Sequence, residues 1–339
     1  MKQKMIALAV ATLFSAPVLA GTVSSKGDIT LYGKVFLTAD QYDDGVVGHS
    51  SVTRVNSNAS RFGVKGKEDL GDGLKGIFQY EIQVDGDGSG GNGFGNGSRN
   101  SGVGLEGGFG KIIIGRWDSP LKVAHNKLEL FDNTTNWSAT QVIGKSEGKK
   151  YNTRHSNQVQ YWTPKFGGAQ LAVQYVPDEK RDNVTPGSGN KYDFSTSLTY
   201  NENGVYLSGA YELRNDQTVV GKDDNAFRAV GRYTLGDVWV GAMVESIKTN
   251  KTAVSSETGT NWELAGEYKF GASRLGLSYA RAGSTATGAA IDNDVSQIAA
   301  KLTYAFSKRT EAFAAYANRD INKSNSKAND IGVGVIHSF

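Results

Sequence analysis

The stretch Ile29-Thr30-Leu31-Tyr32-Gly33-Lys34-Val35-Phe36-Leu37-Thr38 decides the fold of this 339-residue chain. Its odd-numbered residues are apolar or small, whereas its even-numbered residues include two threonines and a lysine. A period of two places these sets on opposite faces of a β-strand. One face suits lipid and the other suits water, which is typical of a strand in a membrane β-barrel.

The same alternation recurs along the rest of the chain. In the segment Ala59 to Lys67, Phe62 and Val64 alternate with Arg61 and two lysines. We count about sixteen such runs between residues 28 and 339, within the range of bacterial outer-membrane barrels. The pattern predicts an all-β fold, a transmembrane antiparallel β-barrel of sixteen strands.

The connections between these runs alternate between short and long. Asp69–Gly73 and Gly236–Asp237 are short, whereas Asp85–Ser98 and Thr249–Thr260 are long. This alternation places all turns of one kind on one rim of a barrel. Because an open sheet edge is costly in hydrocarbon, we expect the last run, Ile331 to Phe339, to pair with the first. A barrel of this size encloses an aqueous channel.

Composition and charge restrict the protein's location and its partners. Met1 to Ala20 has the charged start, apolar centre and small-residue end of a secretory signal, so the predicted barrel domain covers residues 21–339. Removal of Lys2 and Lys4 with the signal lowers the formal charge by two, from +3 to +1. This balance predicts no nucleic-acid partner. The chain contains no cysteine, so it uses no disulfides although it is exported.

The longest interruption of the strand pattern is Asp118 to Lys150. It carries the carboxylates Asp118, Glu129 and Asp132, and it ends on a basic group that includes Lys145. It also contains enough leucine, valine and phenylalanine to pack against a surface. We therefore expect a functional loop folded into the barrel, with its acidic side chains facing the lumen.

Several short motifs, taken in order, resemble those of the Gram-negative trimeric general porins over the whole length from Gly21 to Phe339. They are Leu31-Tyr32-Gly33-Lys34, Ser60-Arg61-Phe62-Gly63-Val64-Lys65-Gly66, Val103-Gly104-Leu105 with Phe109-Gly110-Lys111, Gly115-Arg116-Trp117-Asp118-Ser119-Pro120, and Phe339. The resemblance implies a sixteen-stranded outer-membrane barrel whose third long loop folds inward to form a constriction. It also implies a homotrimer, embedded among outer-membrane lipid and lipopolysaccharide.

The resemblance further assigns roles at the constriction. Lys34, Arg61, Arg99 and Lys145 match basic wall positions, and Glu129 and Asp132 lie nearest the acidic loop positions. Opposed charges across a narrow opening orient polar solutes and disfavour apolar ones. The implied function is passive diffusion of small hydrophilic solutes and ions. Because these basic residues outnumber the acids, we predict a weak preference for anions.

Two other functions are compatible with the same barrel. The barrel could act mainly as an adhesin or receptor through its outer loops, in which case a closed pore is expected in single-channel recording. It could instead be a substrate-selective anion channel, tuned by its lysines. With histidine only at four positions and no cysteine, no nucleophile and base pair is indicated, so we predict no enzyme activity. His125 and Glu129 have a metal-pair spacing without an evident third ligand, so neither a metal nor another cofactor is predicted.

Overall fold

A computed structural model describes residues 27–88, 94–132, 134–146, 149–178, 191–216, 218–286, 294–321 and 326–339. The predicted signal segment and parts of several long connections lie outside these residues. Eighteen strand segments form one antiparallel sheet. Two strands consist of two segments each, so the sheet contains sixteen strands, which confirms the predicted number.

We number the strands in chain order. They are β1 (Gly27–Asp43), β2 (Val52–Ser57 and Arg61–Gly71), β3 (Leu74–Val84), β4 (Phe94–Ser98 and Ser101–Gly107), β5 (Gly110–Asp118), β6 (Arg154–Trp162), β7 (Ala169–Pro177), β8 (Tyr192–Glu202), β9 (Val205–Asn215), β10 (Asp223–Leu235), β11 (Val238–Asn250), β12 (Ser256–Phe270), β13 (Ser273–Ala286), β14 (Val295–Ala305), β15 (Thr310–Ile321) and β16 (Ser326–Ser338). Each strand is antiparallel to the next, as the short turns require.

The sheet closes between its first and last strands. β1 pairs with β16 from Lys34 opposite Ser338 to Asp43 opposite Asn329. Gly33 and Phe339 exchange two backbone hydrogen bonds of 3.1 Å each at the end of this seam. A Cβ atom at Gly33 would collide with the Phe339 ring, so only glycine fits there without a shift of the ring. The predicted closure is confirmed.

The strands alternate as the period of two predicts. Leu31 pairs with Val64, and Val64 with Tyr80, on the outer face, whereas Lys34 pairs with Arg61 on the inner face. Large apolar side chains are exposed on the outside all around the barrel, among them Val35, Val103, Ile114, Leu198, Leu207, Val240, Leu264, Leu277, Ile298 and Ile331. This surface matches hydrocarbon. Within the described residues, no helix is long and apolar enough to cross a bilayer.

The rim that carries the long loops differs from expectation in one respect. β1 has 17 residues and β12 has 15, more than the ~10 needed to cross hydrocarbon. Because these strands continue beyond the alternating core of each run, some connections are shorter than the sequence pattern indicated. Residues 251–255, for example, are all that joins β11 to β12.

A charge on the outer face should be costly. Leu264 lies in the middle of β12 with 53% of its surface exposed, so in the membrane it contacts lipid. We expect Leu264→Arg to lower the free energy of unfolding by about 2–4 kcal/mol. Guanidinium unfolding of the barrel in phospholipid vesicles measures this change. Thr30→Arg is the control, because Thr30 is exposed on the inner face, and a similar loss there would contradict the assignment of faces.

Candidate functional site: the inner loop and the waist

The connection between β5 and β6 lies inside the barrel, as predicted. It begins with helix α1 (Pro120–His125), continues through a 3₁₀ turn (Ala139–Gln141), and ends in two short paired segments, Lys145–Ser146 and Lys149–Lys150. Ser119 caps the helix by accepting a hydrogen bond from the Lys122 amide at 3.2 Å, and Pro120 occupies its first turn. We call residues 119–153 the inner loop.

A buried ion pair holds the inner loop at both of its limbs. Arg228 on β10 donates to Glu245 on β11 through Nε at 3.0 Å and Nη2 at 2.6 Å, and both side chains are fully buried. Arg228 Nη1 also donates to the Leu121 carbonyl at 2.9 Å. On the returning limb, the Gly144 amide donates to Glu245, whose carboxylate also accepts from Asn261 at 2.8 Å. Wall and loop therefore share one satisfied charge network.

The helix has further anchors on the same wall. His125 Nε2 lies 2.5 Å from a carboxylate oxygen of Glu263, and both side chains are buried. The Tyr206 hydroxyl donates to the Ala124 carbonyl at 2.8 Å. The Leu121 amide donates to the Ser195 hydroxyl at 3.2 Å. His125 thus pairs with a wall carboxylate instead of forming the metal pair with Glu129 that its spacing could suggest.

Apolar packing fixes the middle of the inner loop. Trp137 is 2% exposed and packs edge-on against Phe313, with ring centroids 5.8 Å apart. Its Nε1 donates to the Asp330 carbonyl at 3.1 Å. The wall positions beneath the loop are largely alanine, which leaves room for the larger side chains of the loop: Ala210, Ala226, Ala280, Ala299, Ala315 and Ala317. Among the described residues, side chains of the loop and of the wall together form two hydrophobic clusters.

The loop approaches the opposite wall at Asp132. Lys34 Nζ donates to Asp132 Oδ2 at 2.5 Å. Asp132 has a positive φ of 69°, a conformation that aspartate tolerates better than most residues and that turns the chain toward the wall. We use the term waist for this contact together with the neighbouring wall residues Arg61, Arg99 and Glu81.

Glu81 is the centre of the wall side of the waist. Arg99 Nε donates to it at 2.6 Å, and Arg61 Nε lies 4.0 Å from its other oxygen. The Tyr32 hydroxyl donates to the same carboxylate at 3.0 Å. The waist therefore contains three cations and two carboxylates. It carries an excess of positive charge.

A second charged group extends the waist toward the start of the inner loop. Asp118 Oδ1 lies 2.6 Å from Lys122 Nζ and 3.0 Å from Arg154 Nε. Asn100 supports this group from the side, because it accepts from Arg154 at 2.7 Å and donates to Asp118 at 3.0 Å. Asp118 is therefore compensated by two cations and does not add a free acid to the lumen.

The structure brings some predicted site residues together and separates others. Lys34, Arg61, Arg99 and Asp132 meet at the waist. Glu129 instead turns back into the loop, where it accepts from the Ser138 hydroxyl at 2.7 Å and from the Phe131 amide at 2.9 Å. Desolvation and the nearby Glu263 raise the pKa of Glu129, against the opposing effect of His125. Lys145 lies on the returning limb and donates to the Gln141 carbonyl at 3.2 Å.

Neither Glu81 nor Arg154 is among the constriction residues that the sequence predicts. A signal for Arg154 was present, because Asp118 ends the strand before the inner loop and Arg154 begins the strand after it. Antiparallel neighbours that flank one connection must face each other, and these two residues are paired in the sheet. The other missed anchor, Arg228, lies in a run that alternates like every other strand, so no local signal distinguished it.

Sequence comparisons with known proteins support this architecture. A family model described as Gram-negative porin matches residues 7–324. The major outer membrane protein P.IB of Neisseria meningitidis is 29% identical over 355 residues, with complete coverage of both chains. The protein of that name from Neisseria sicca is 28% identical, again with complete coverage of both.

Two solved structures share the fold. An anion-selective porin from Comamonas acidovorans has a TM-score of 0.79 at 23% identity, covering 93% of this chain and 100% of that one. The outer membrane channel DcaP of Acinetobacter baumannii has a TM-score of 0.70 at 18% identity, covering 95% and 100%. With a family model that matches most of its length and a closed barrel around a charged waist, the chain belongs to the Gram-negative porin family and forms a pore for passive diffusion in the outer membrane.

Proposed function

We propose that this porin is a general diffusion channel with a weak preference for anions, and that its waist sets this preference. The observation that carries the proposal is the excess of cations over carboxylates among Lys34, Arg61, Arg99, Glu81 and Asp132. The neighbouring group adds Lys122 and Arg154 against Asp118, which increases the excess by one. A solute in the waist is therefore surrounded by more positive than negative charge, which favours anions.

Two further features support the proposal. Glu129, a candidate acid, is bonded within the loop to Ser138 and Phe131, so its carboxylate is not part of the waist. In addition, a protein of the same fold is described as an anion-selective porin.

We also propose that the chain is cleaved after export and assembles into a trimer. Residues 1–20 would be removed as a signal, leaving a mature barrel that starts at Gly21. Porins are generally trimeric, and we propose that this chain forms a homotrimer through its apolar outer face, surrounded by outer-membrane lipid and lipopolysaccharide. Charged side chains at the long-loop rim, such as Lys248 on β11, are exposed where lipid headgroups would lie.

Charge reversal tests the role of the waist. The double variant Lys34→Glu, Arg61→Glu should shift selectivity from anions toward cations. Each unit charge a few ångströms from a permeating ion contributes on the order of 1 kcal/mol in water. The two reversals change four unit charges, so even with salt screening we expect the anion-to-cation permeability ratio to fall by about tenfold or more. The measurement is the reversal potential in a salt gradient across a planar bilayer.

The matched control applies the same charge change at the short-turn rim. Lys308 and Arg309 lie side by side in the turn between β14 and β15 and are both exposed. Lys308→Glu, Arg309→Glu should leave the reversal potential close to that of the wild type. Cation selectivity in the wild-type channel, or equal shifts in the two double variants, would contradict the proposal.

A further inference from the structure

A polar cavity lies beside the waist, between the inner loop and the wall. Its volume is about 200 Å³, and it is partly open to solvent. The wall contributes Thr38 and Asp40 from β1, Asn56 from β2 and Asp330 from β16, while the loop contributes Thr134 to Trp137. Thr134 follows Asp132 by two positions, so this cavity is next to the waist. We call it the loop cavity.

The charged side chains that line the loop cavity are bonded to one another. Arg54 donates to Asp40 through Nε at 2.8 Å and to Asp330 through Nη2 at 2.9 Å. Arg319 lines a smaller adjoining cavity together with Asp330 and donates to the Asn136 carbonyl at 2.9 Å. Because Arg54 already compensates both lining carboxylates, an entering ion would have to compete with these bonds, whereas a neutral solute would not.

The other lining groups are neutral and can both donate and accept hydrogen bonds. They are the amides of Asn56, Asn58 and Asn136 and the hydroxyls of Thr38, Thr134 and Thr135. A ligand that matches them needs several groups of the same dual character in a small volume. Hydroxyl groups have this character, whereas an ammonium ion only donates and a carboxylate only accepts.

The loop cavity is also preformed. Asn136 Nδ2 donates to Asp330 Oδ2 at 3.1 Å, Trp137 Nε1 donates to the Asp330 carbonyl, and Asn58 Nδ2 donates to Thr38 Oγ1 at 2.7 Å. Lining residues already fixed by such bonds lose little further freedom when a ligand binds.

We propose that the loop cavity is a binding subsite for a small neutral polyhydroxylated solute of about monosaccharide size. Such a solute would pause there after crossing the waist, with its hydroxyls bonded to Thr38, Thr134 and the surrounding amides. The inference rests on the proposed diffusion function, and it adds a solute class that the waist charges alone do not select.

Sugar-dependent current through the purified full-length porin in a planar bilayer tests this subsite. Glucose is the probe, and triethylene glycol is a neutral comparator that has few hydroxyls. We expect glucose to reduce the wild-type current in a saturable manner, whereas triethylene glycol should reduce it only in proportion to its concentration. Thr134→Val removes one hydroxyl from an exposed lining position and should raise the half-saturating glucose concentration about threefold to tenfold.

Further variants separate the subsite from general effects on the pore. Thr134→Phe should fill the cavity and abolish the saturable component. Thr30→Val makes the same change as Thr134→Val on the inner face of β1, outside the cavity, and should leave the half-saturating concentration unchanged. A linear glucose effect, or a saturable effect equal in all variants, would overturn the proposal. So would saturation by methylammonium without saturation by glucose. Anion selectivity in the same recordings tests the diffusion function separately.

Discussion

Replacing Arg228 with methionine is expected to release the inner loop from the barrel wall. The substitution leaves Glu245 buried, with only the Gly144 amide and Asn261 to stabilise its charge. Removing one partner of a buried ion pair costs about 3–5 kcal/mol. It also removes the hydrogen bond to the Leu121 carbonyl, so both limbs of the loop lose their shared anchor.

This cost should appear first as detachment of the loop, not as unfolding of the barrel. The sheet is hydrogen-bonded around its whole circumference, whereas the loop can leave the wall without breaking any strand pairing. Local opening requires less free energy than global unfolding, so the loop opens first. We expect higher and noisier single-channel conductance and faster protease cleavage at Lys127 and Lys145.

Two further variants separate the anchoring role of Arg228 from the general cost of losing a charged side chain. Arg274→Met removes a partly exposed ion pair with Glu311 that does not contact the loop, and it should cost less than about 1 kcal/mol. The double variant Arg228→Met, Glu245→Met leaves no unpaired buried charge, so it should recover barrel stability, but it also removes both hydrogen bonds to the loop and should keep the raised conductance. Wild-type conductance and protease resistance in Arg228→Met alone would contradict the anchoring role.

Much of the barrel could be predicted from the sequence because a membrane wall imposes a local pattern. Phe62 and Val64 lie on the outer face of the barrel, whereas Arg61 faces the lumen. A period of two in the sequence predicts this arrangement without any knowledge of distant contacts. The number of strands and the closure follow from the same pattern and from the cost of an unpaired edge. The strand ends were less well defined, since beyond the hydrocarbon either face can be polar.

The site was only partly predictable, for a physical reason. Lys34, Arg61 and Arg99 belong to strands or lie next to them, so their facing follows from the register. The facing of the loop acids depends on loop conformation, which is determined by contacts between residues far apart in sequence. Glu129 turns toward Ser138, nine positions later, and no spacing rule gives that contact. The run of wall alanines under the loop was a usable signal, because small inward residues leave space that another segment must fill.

The second large effect is expected at Trp137, which fixes the middle of the inner loop. Trp137→Ala removes the edge-on contact with Phe313, the packing against Phe131 with ring centroids 6.4 Å apart, and the hydrogen bond to Asp330. Truncation of a buried tryptophan costs about 3–5 kcal/mol, part of it for the cavity that remains. Because Trp137 also borders the loop cavity, saturable binding of glucose should weaken together with loop docking.

Trp137→Phe separates the packing of the ring from its hydrogen bond. Phenylalanine keeps an aromatic side chain against Phe313 and loses the N–H donor, so we expect a loss of about 1–3 kcal/mol from the unsatisfied Asp330 carbonyl and the smaller ring. Loop release, measured by protease cleavage and single-channel conductance, should therefore rank alanine above phenylalanine above wild type. The Arg228–Glu245 pair contacts both limbs of the loop and Trp137 contacts the wall at its middle, with no shared hydrogen-bond partner among the described residues. If the two anchors act on one docking equilibrium, Arg228→Met combined with Trp137→Ala should add little conductance beyond either change, because the loop is already detached. Stepwise increases in conductance would instead mean that each end of the loop opens independently, which would contradict a single docked unit.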